Sequence, residues 1–274
     1  MNNQEPLCII LEHGLGNQLF ILFTGISKAI DENRDFEVYP VYNTFRKFFF
    51  TNLLKSLLFK VAPIVNLKSK EELYEEPFFH YSPIPNNKKA IKGYFQSPKY
   101  FHHNKNKIID ILQLNTFLTK YKFDYKTIGI HLRFGDMSFN QGNHIILKPS
   151  YFINAIRKLK QEISDINDYK FIVFGEKEDN EIINDYIDIL KNESTNITKF
   201  YDIYPNMRDY EELMFMSNCQ HLIIANSTFS WFAGYLNDYP NKKVIYPNKW
   251  FGILNSSKND MKDLFMDNWI KVDE

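Results

Sequence analysis

Three short stretches carry side chains suited to holding an anion. His131-Leu132-Arg133-Phe134-Gly135-Asp136 sets an imidazole, a guanidinium and a carboxylate directly after the apolar run at 127–130. A guanidinium can grip a diphosphate through two parallel hydrogen bonds, a geometry lysine cannot copy. An Arg133–Asp136 ion pair explains the same residues as a structural feature, and the sequence leaves both readings open. Asn226-Ser227-Thr228-Phe229-Ser230-Trp231 brings hydroxyls to a helix start, either as an ordinary N-cap or as a phosphate cradle. Gly14-Leu15-Gly16-Asn17-Gln18 offers glycines where a strand turns into a helix, so backbone amides can approach a phosphate. It lacks the third glycine of a dinucleotide fingerprint and reads equally as a tight turn.

Glu12, His13 and Asp136 are candidates for taking a proton from a hydroxyl, and the sequence does not choose among them. No Asp-x-Asp pair occurs in the chain. Glu176-Lys177-Glu178-Asp179 comes nearest and reads as a solvated acidic helix start. The expectation is therefore no metal and no cofactor, with cationic side chains and amides neutralising an anionic leaving group.

These residues need elements to carry them. Residues 7–11 read as a strand, the glycine turn follows, and 18–30 read as a helix. Between 38 and 123 frequent prolines break the pattern. From 127 a regular alternation begins: strand to 132, helix 149–164, strand 169–174, acidic helix 178–191, and a strand around 199–203. Helix 208–218, strand 221–225, helix 228–237 and strand 243–246 complete it. Alternation of this kind predicts parallel sheets covered on both faces, with ligands at the carboxyl ends of the strands. The change of pattern divides the chain into 1–124 and 125–274.

With 274 residues, 33 Lys plus Arg and 33 Asp plus Glu, the chain is long enough for two cores and has no net field to recruit nucleic acid. Its 25 Phe and 17 Tyr suit a well-packed interior. Cys8 and Cys219 lie in apolar runs and read as buried thiols. No signal-peptide pattern opens the sequence, which predicts a soluble, cytoplasmic protein. The basic, apolar segment from Phe45 to Lys60 reads as a buried helix, or as a weak peripheral membrane contact.

In order along the chain, Gly14–Phe20, Gly93–Phe101, His131–Asp136, Glu212–Cys219, Ala225–Leu236 and Pro247–Phe251 resemble the motifs of the α-1,2-fucosyltransferases of glycosyltransferase family 11. The resemblance implies an α/β, GT-B-like architecture of two Rossmann-like domains facing a cleft. Residues 1–124 would form the acceptor-side domain and 125–274 the nucleotide-sugar donor-binding domain. It further implies metal-independent, inverting transfer of L-fucose from GDP-β-L-fucose to a glycan hydroxyl, the 2-OH of a galactose-like residue. In the family's His-x-Arg-Arg-Gly-Asp pattern the diphosphate-holding arginine maps to Arg133. His131 and Glu212 would lie toward the nucleotide, with Asn226, Ser227, Thr228 and Ser230 near the phosphates, and Gly14, Gly16 and Asn17 also on the donor.

Two positions depart from the pattern. Phe134 stands where the second arginine is expected, and Phe174-Gly175-Glu176-Lys177 replaces a Phe-Ser-Asp-Asp-like segment. Either leaves room for a different nucleotide-sugar donor, and the loss of a cation for a catalytically inactive binding module.

Overall fold

The strand at Leu7–Leu11 (β1) is buried along its whole length, and in a parallel sheet a strand covered on both faces must be a continuous apolar run. Helix α1 (Leu15–Asp31) follows after the short turn Glu12-His13-Gly14 and packs back on it. The contact is close because Gly25 faces Ile9, where a Cβ would stand 2.4 Å from the isoleucine side chain. Burying each such Ile, Leu or Phe contributes about 1.5–3 kcal/mol, so this helix, buried on most sides, anchors its unit. The computed structural model describes residues 5–41, 67, 69–135, 142, 144–256 and 258–274. The basic segment 45–60 and Asp136 lie outside the described residues.

Contacts group the chain into two units: Met1–Thr116 with Asn259–Met266, and Phe117–Lys258 with Asp267–Glu274. In the first unit β1 is joined by β2 (Phe36–Pro40), β3 (Leu73–Glu75) and β4 (Ala90–Lys92) in the order β2-β1-β4-β3, every pairing parallel. Helices α2 (Lys105–Ile111) and α3 (Leu114–Lys120) close the segment in which prolines blur the sequence pattern. Residues 117–124 pack with the second unit: Asn218 Nδ2 donates to the carbonyls of Leu118 and Tyr121, and the Tyr121 hydroxyl donates to Glu211.

The second unit holds β5 (Thr127–His131), α4 (Pro149–Glu162), β6 (Lys170–Phe174), α5 (Asn180–Leu190), β7 (Ile197–Lys199) and α6 (Phe200–Ile203). It continues with α7 (Asp209–Ser217), β8 (His221–Ile223), α8 (Thr228–Leu236), β9 (Val244–Pro247), α9 (Ile253–Ser256) and β10 (Ile270–Val272). Its strands run β10-β9-β8-β5-β6-β7, all parallel. Both units thus have the parallel α/β build expected of the GT-B-like class. The strand expected at 199–203 stops at Lys199, where the chain turns helical. Phe200 is buried there, stacked on Phe174 at 4.8 Å and close to Phe215, which draws the backbone down onto the sheet. Among the described residues no helix is long and apolar enough to cross a membrane.

Candidate functional site

Chain order and sheet order together single out one place in the second unit. From β5 the chain moves outward through β6 and β7, then returns to the other side with β8, β9 and β10. The β5/β8 junction is therefore the topological switch point, outside whose carboxyl ends ligands of open α/β sheets bind. β5 ends at His131 and leads to Arg133, and β8 leads through Ala225 to Ser227 and Thr228 at the start of α8. The His131 ring lies 5.5 Å from that of Phe229, so the two strand ends meet.

His131 is 5% exposed, and its Nδ1 is buried without a hydrogen-bond partner. Burial, assisted by the nearby Arg133 cation, pushes its pKa down to about 3, so the imidazole is neutral at physiological pH. A buried ring nitrogen without a partner costs free energy that a ligand can recover. Arg133 Nη1 donates to Glu176 Oε1 from the end of the neighbouring β6. Gly135 has a left-handed φ of 31°, and its amide donates to Asp179 Oδ2 at 3.0 Å. The Glu176–Asp179 segment is thus more than the solvated helix start expected of it, because it clasps the loop after β5.

Ser227 occupies the N-cap position of α8 in an extended conformation, yet makes no side-chain capping bond. Ser227, Thr228 and Phe229 are partly exposed, so hydroxyls and first-turn amides share an accessible helix end. Ser230 differs from expectation: it is fully buried, and its hydroxyl donates to the carbonyls of Ala225 and Ser227. Asn226 differs too. Its Nδ2 donates to the carbonyls of Ile145 and Trp250, fastening two loops to the strand end. Both side chains bond to backbone carbonyls around the start of α8.

Glu212, partly exposed on α7, has its pKa raised to about 8 by burial and by the neighbouring Asp209 and Glu176 carboxylates. Asp209 is itself raised to about 6, mainly by burial. Three acids thus crowd one side of the Arg133 region. Phe134 does not face this site as a missing cation. It is 4% exposed and packs edge-on against Tyr186 at 5.0 Å within the second unit's core.

In the first unit, the order β2-β1-β4-β3 places a switch point between β1 and β4. Glu12 and His13 leave β1, and Gly93 and Tyr94 leave β4. Gly14 caps α1 with no side-chain bond, Gly16 is buried in the first turn, and Asn17 Oδ1 accepts a hydrogen bond from Gln96 Nε2 at 2.9 Å. His13 holds a left-handed φ of 70° and stacks on Tyr94. Tyr94 and the half-buried Glu76 that accepts its amide carry no role in the sequence reading. Tyr94 stands inside a quoted motif, but the backbone twist that presents it has no sequence signature.

The sequence model of Glycosyl transferase family 11 matches residues 65–273 of this chain. The chain belongs to that family. It is therefore a glycosyltransferase, an enzyme that works on a nucleotide-sugar donor and a glycan acceptor. The O-antigen biosynthesis glycosyltransferase WbnK of Escherichia coli is 27% identical over 93% of this chain and 83% of its own length. An alpha-1,2-colitosyltransferase of Escherichia coli is 26% identical over 88% of this chain and 91% of its own. The structure of E. coli ADP-heptose LPS heptosyltransferase II covers 97% of this chain and 90% of its own at 8% identity, with a TM-score of 0.49. Family 11 membership covers both the β5/β8 site and β3–β4 of the first unit, since the matched span runs through all of them.

Proposed function

We propose that this family 11 enzyme transfers L-fucose from GDP-β-L-fucose to a hydroxyl of a glycan, the 2-OH of a galactose-like residue, with inversion and without a metal. The observation that carries the donor half is the β5/β8 switch point, where Arg133 and the partnerless Nδ1 of His131 stand beside the uncapped start of α8. In this reading Arg133 and the Ser227–Thr228 end of α8 hold the diphosphate. His131 and Glu212 lie toward the nucleoside.

As the bond from sugar C1 to the β-phosphate oxygen breaks, negative charge gathers on departing GDP, and the fixed cation and helix-end amides stabilise it where it develops. The acceptor oxygen forms the new bond to C1 from the opposite face, and its proton passes to a base. Glu12 is the candidate we favour, because it leaves β1 at the first unit's switch point. His13 and Asp136 are the alternatives.

Isothermal titration with GDP, UDP and GDP-fucose, each with and without EDTA, tests the donor half on wild type and Arg133→Ala. GDP-selective binding that survives EDTA and vanishes in the variant is the expected result. Preference for another nucleotide, or dependence on a divalent cation, would overturn the reading. Likeness to an alpha-1,2-colitosyltransferase favours one second reading, in which the sugar is colitose, which is fucose without its 3-hydroxyl. A site built to bond that hydroxyl rejects the analogue lacking it, so side-by-side turnover of the two GDP-sugars separates the readings.

A further inference from the structure

The first unit holds a second constellation at the carboxyl ends of its central strands. His13 and Tyr94 stack face to face, with centroids 4.5 Å apart and planes 10° from parallel. Glu12 Oε2 lies 3.9 Å from His13 Nε2. The flanking chain is buried, with Phe95 and Ser97 at 0% exposure, yet Tyr94 stays 44% exposed.

Holding the pair in this position is costly. His13 and Phe95 both adopt left-handed backbones, at φ 70° and 53°, a conformation rare for residues with side chains. Glu76 Oε2 accepts the amides of both Tyr94 and Phe95 at 2.8 Å, and burial raises that carboxyl to about 7 despite those bonds. The arrangement also requires a glycine at 93, where a Cβ would stand 2.4 Å from Glu76 Cβ. Below the pair, the side-chain oxygens of Gln18 and Gln96 are buried without partners, although the amide nitrogens of both residues are engaged. A fold that needed only a closed strand end would not combine two strained residues, a half-buried carboxylate and an exposed ring.

We propose that the His13–Tyr94 stack, with the Glu12 carboxylate beside it, is the platform on which a pyranose ring of the acceptor glycan lies. A galactose-type ring has one face of C–H groups that suits an aromatic surface, and hydroxyls at its edge that suit a carboxylate acceptor. Tyr94 supplies the stacking face, and Glu12 accepts a hydrogen bond from a ring hydroxyl. Glu76 is a positioning residue, acting through the Tyr94 and Phe95 amides.

The assignment rests on the glycosyltransfer reading, and two separate measurements keep their failures apart. Lactose and N-acetyllactosamine serve as probes in saturation-transfer difference NMR on the GDP-loaded protein, and GDP affinity is titrated independently. Tyr94→Ala should weaken the galactosides about tenfold, Tyr94→Phe should keep them, and GDP affinity should stay within about twofold in both. Unchanged galactoside binding in Tyr94→Ala, a loss of GDP affinity in that variant, or a wild type that binds GDP but neither galactoside would each overturn the platform. A wild type that binds galactosides through Tyr94 but no GDP would leave the platform standing and sink the donor reading.

Discussion

Arg133 and Glu176, which follow adjacent strands of one sheet, are joined by a hydrogen-bonded ion pair at the mouth of the β5/β8 site. The carboxylate occupies the guanidinium as a phosphate oxygen would. If Arg133 holds the donor diphosphate as proposed, donor binding must displace Glu176 or share the cation with it. Because the pair is partly exposed, removing the competitor is worth roughly 1 kcal/mol. Glu176→Gln should tighten GDP about fivefold by titration calorimetry. Weaker binding would mean that Glu176 orients the arginine.

Arg133→Lys keeps the charge and loses the planar fork. Turnover of GDP-fucose should fall ~100- to 1000-fold, close to the loss in Arg133→Ala. A lysine variant with most of its activity would reduce Arg133 to a point charge.

Ser227 and Ser230 sit three residues apart and should behave oppositely. Ser227→Ala removes a hydroxyl that makes no capping bond, so GDP affinity should fall while the melting temperature holds. Ser230→Ala deletes buried bonds to two carbonyls, at about 1 kcal/mol of stability, with nucleotide affinity unchanged. Thermal melts and titrations of both variants check the assignment.

Restoring the family arginine with Phe134→Arg should not improve donor binding. The position lies in the core against Tyr186, and losing a buried aromatic there costs roughly 3–5 kcal/mol even before a charge is buried. A denaturant midpoint equal to wild type would show that the side chain can turn outward.

Glu212 should impose a pH dependence on stability. Its folded pKa, about 8, lies above its ordinary value of 4.5, so the folded state holds a proton that the unfolded state releases. Stability is then full below pH 4.5 and declines as pH rises toward 8. Glu212→Gln should flatten that decline in urea melts at pH 6, 7 and 8.5, after allowance for Asp209, which shifts in the same direction. An unchanged slope would place the proton elsewhere.

Much of the second unit was legible because strand and helix periods alternate cleanly after residue 127. The runs at 128–130, 171–174 and 244–247 are apolar, and Pro149 opens its helix. Alternation does not say which strand lies in the middle, so the switch point at β5/β8 needed the structure. Phe134 read as a lost cation since nothing local marks its burial, which is set by Tyr186 fifty-two residues later. Glu176 read as solvated for the same reason, its partner being forty-three residues earlier. In the first unit the strands β3 and β4 have only three residues each, too short for a period to show among prolines. The role of Tyr94 was hidden by positive φ values at ordinary residues, which no side-chain pattern announces.

The return of Asn259–Met266 to the first unit has a practical consequence for dissecting the enzyme. Asp263, 7% exposed, accepts the amide of Tyr81 at 3.1 Å and pairs with Lys99, although it lies more than 160 residues further along the chain. A fragment ending at Thr116 would leave that amide and that ammonium without their carboxylate. A fragment beginning at Phe117 would carry an octapeptide whose partners are gone. The two units are therefore interleaved in the gene, and to express either alone requires splicing this octapeptide onto one and out of the other.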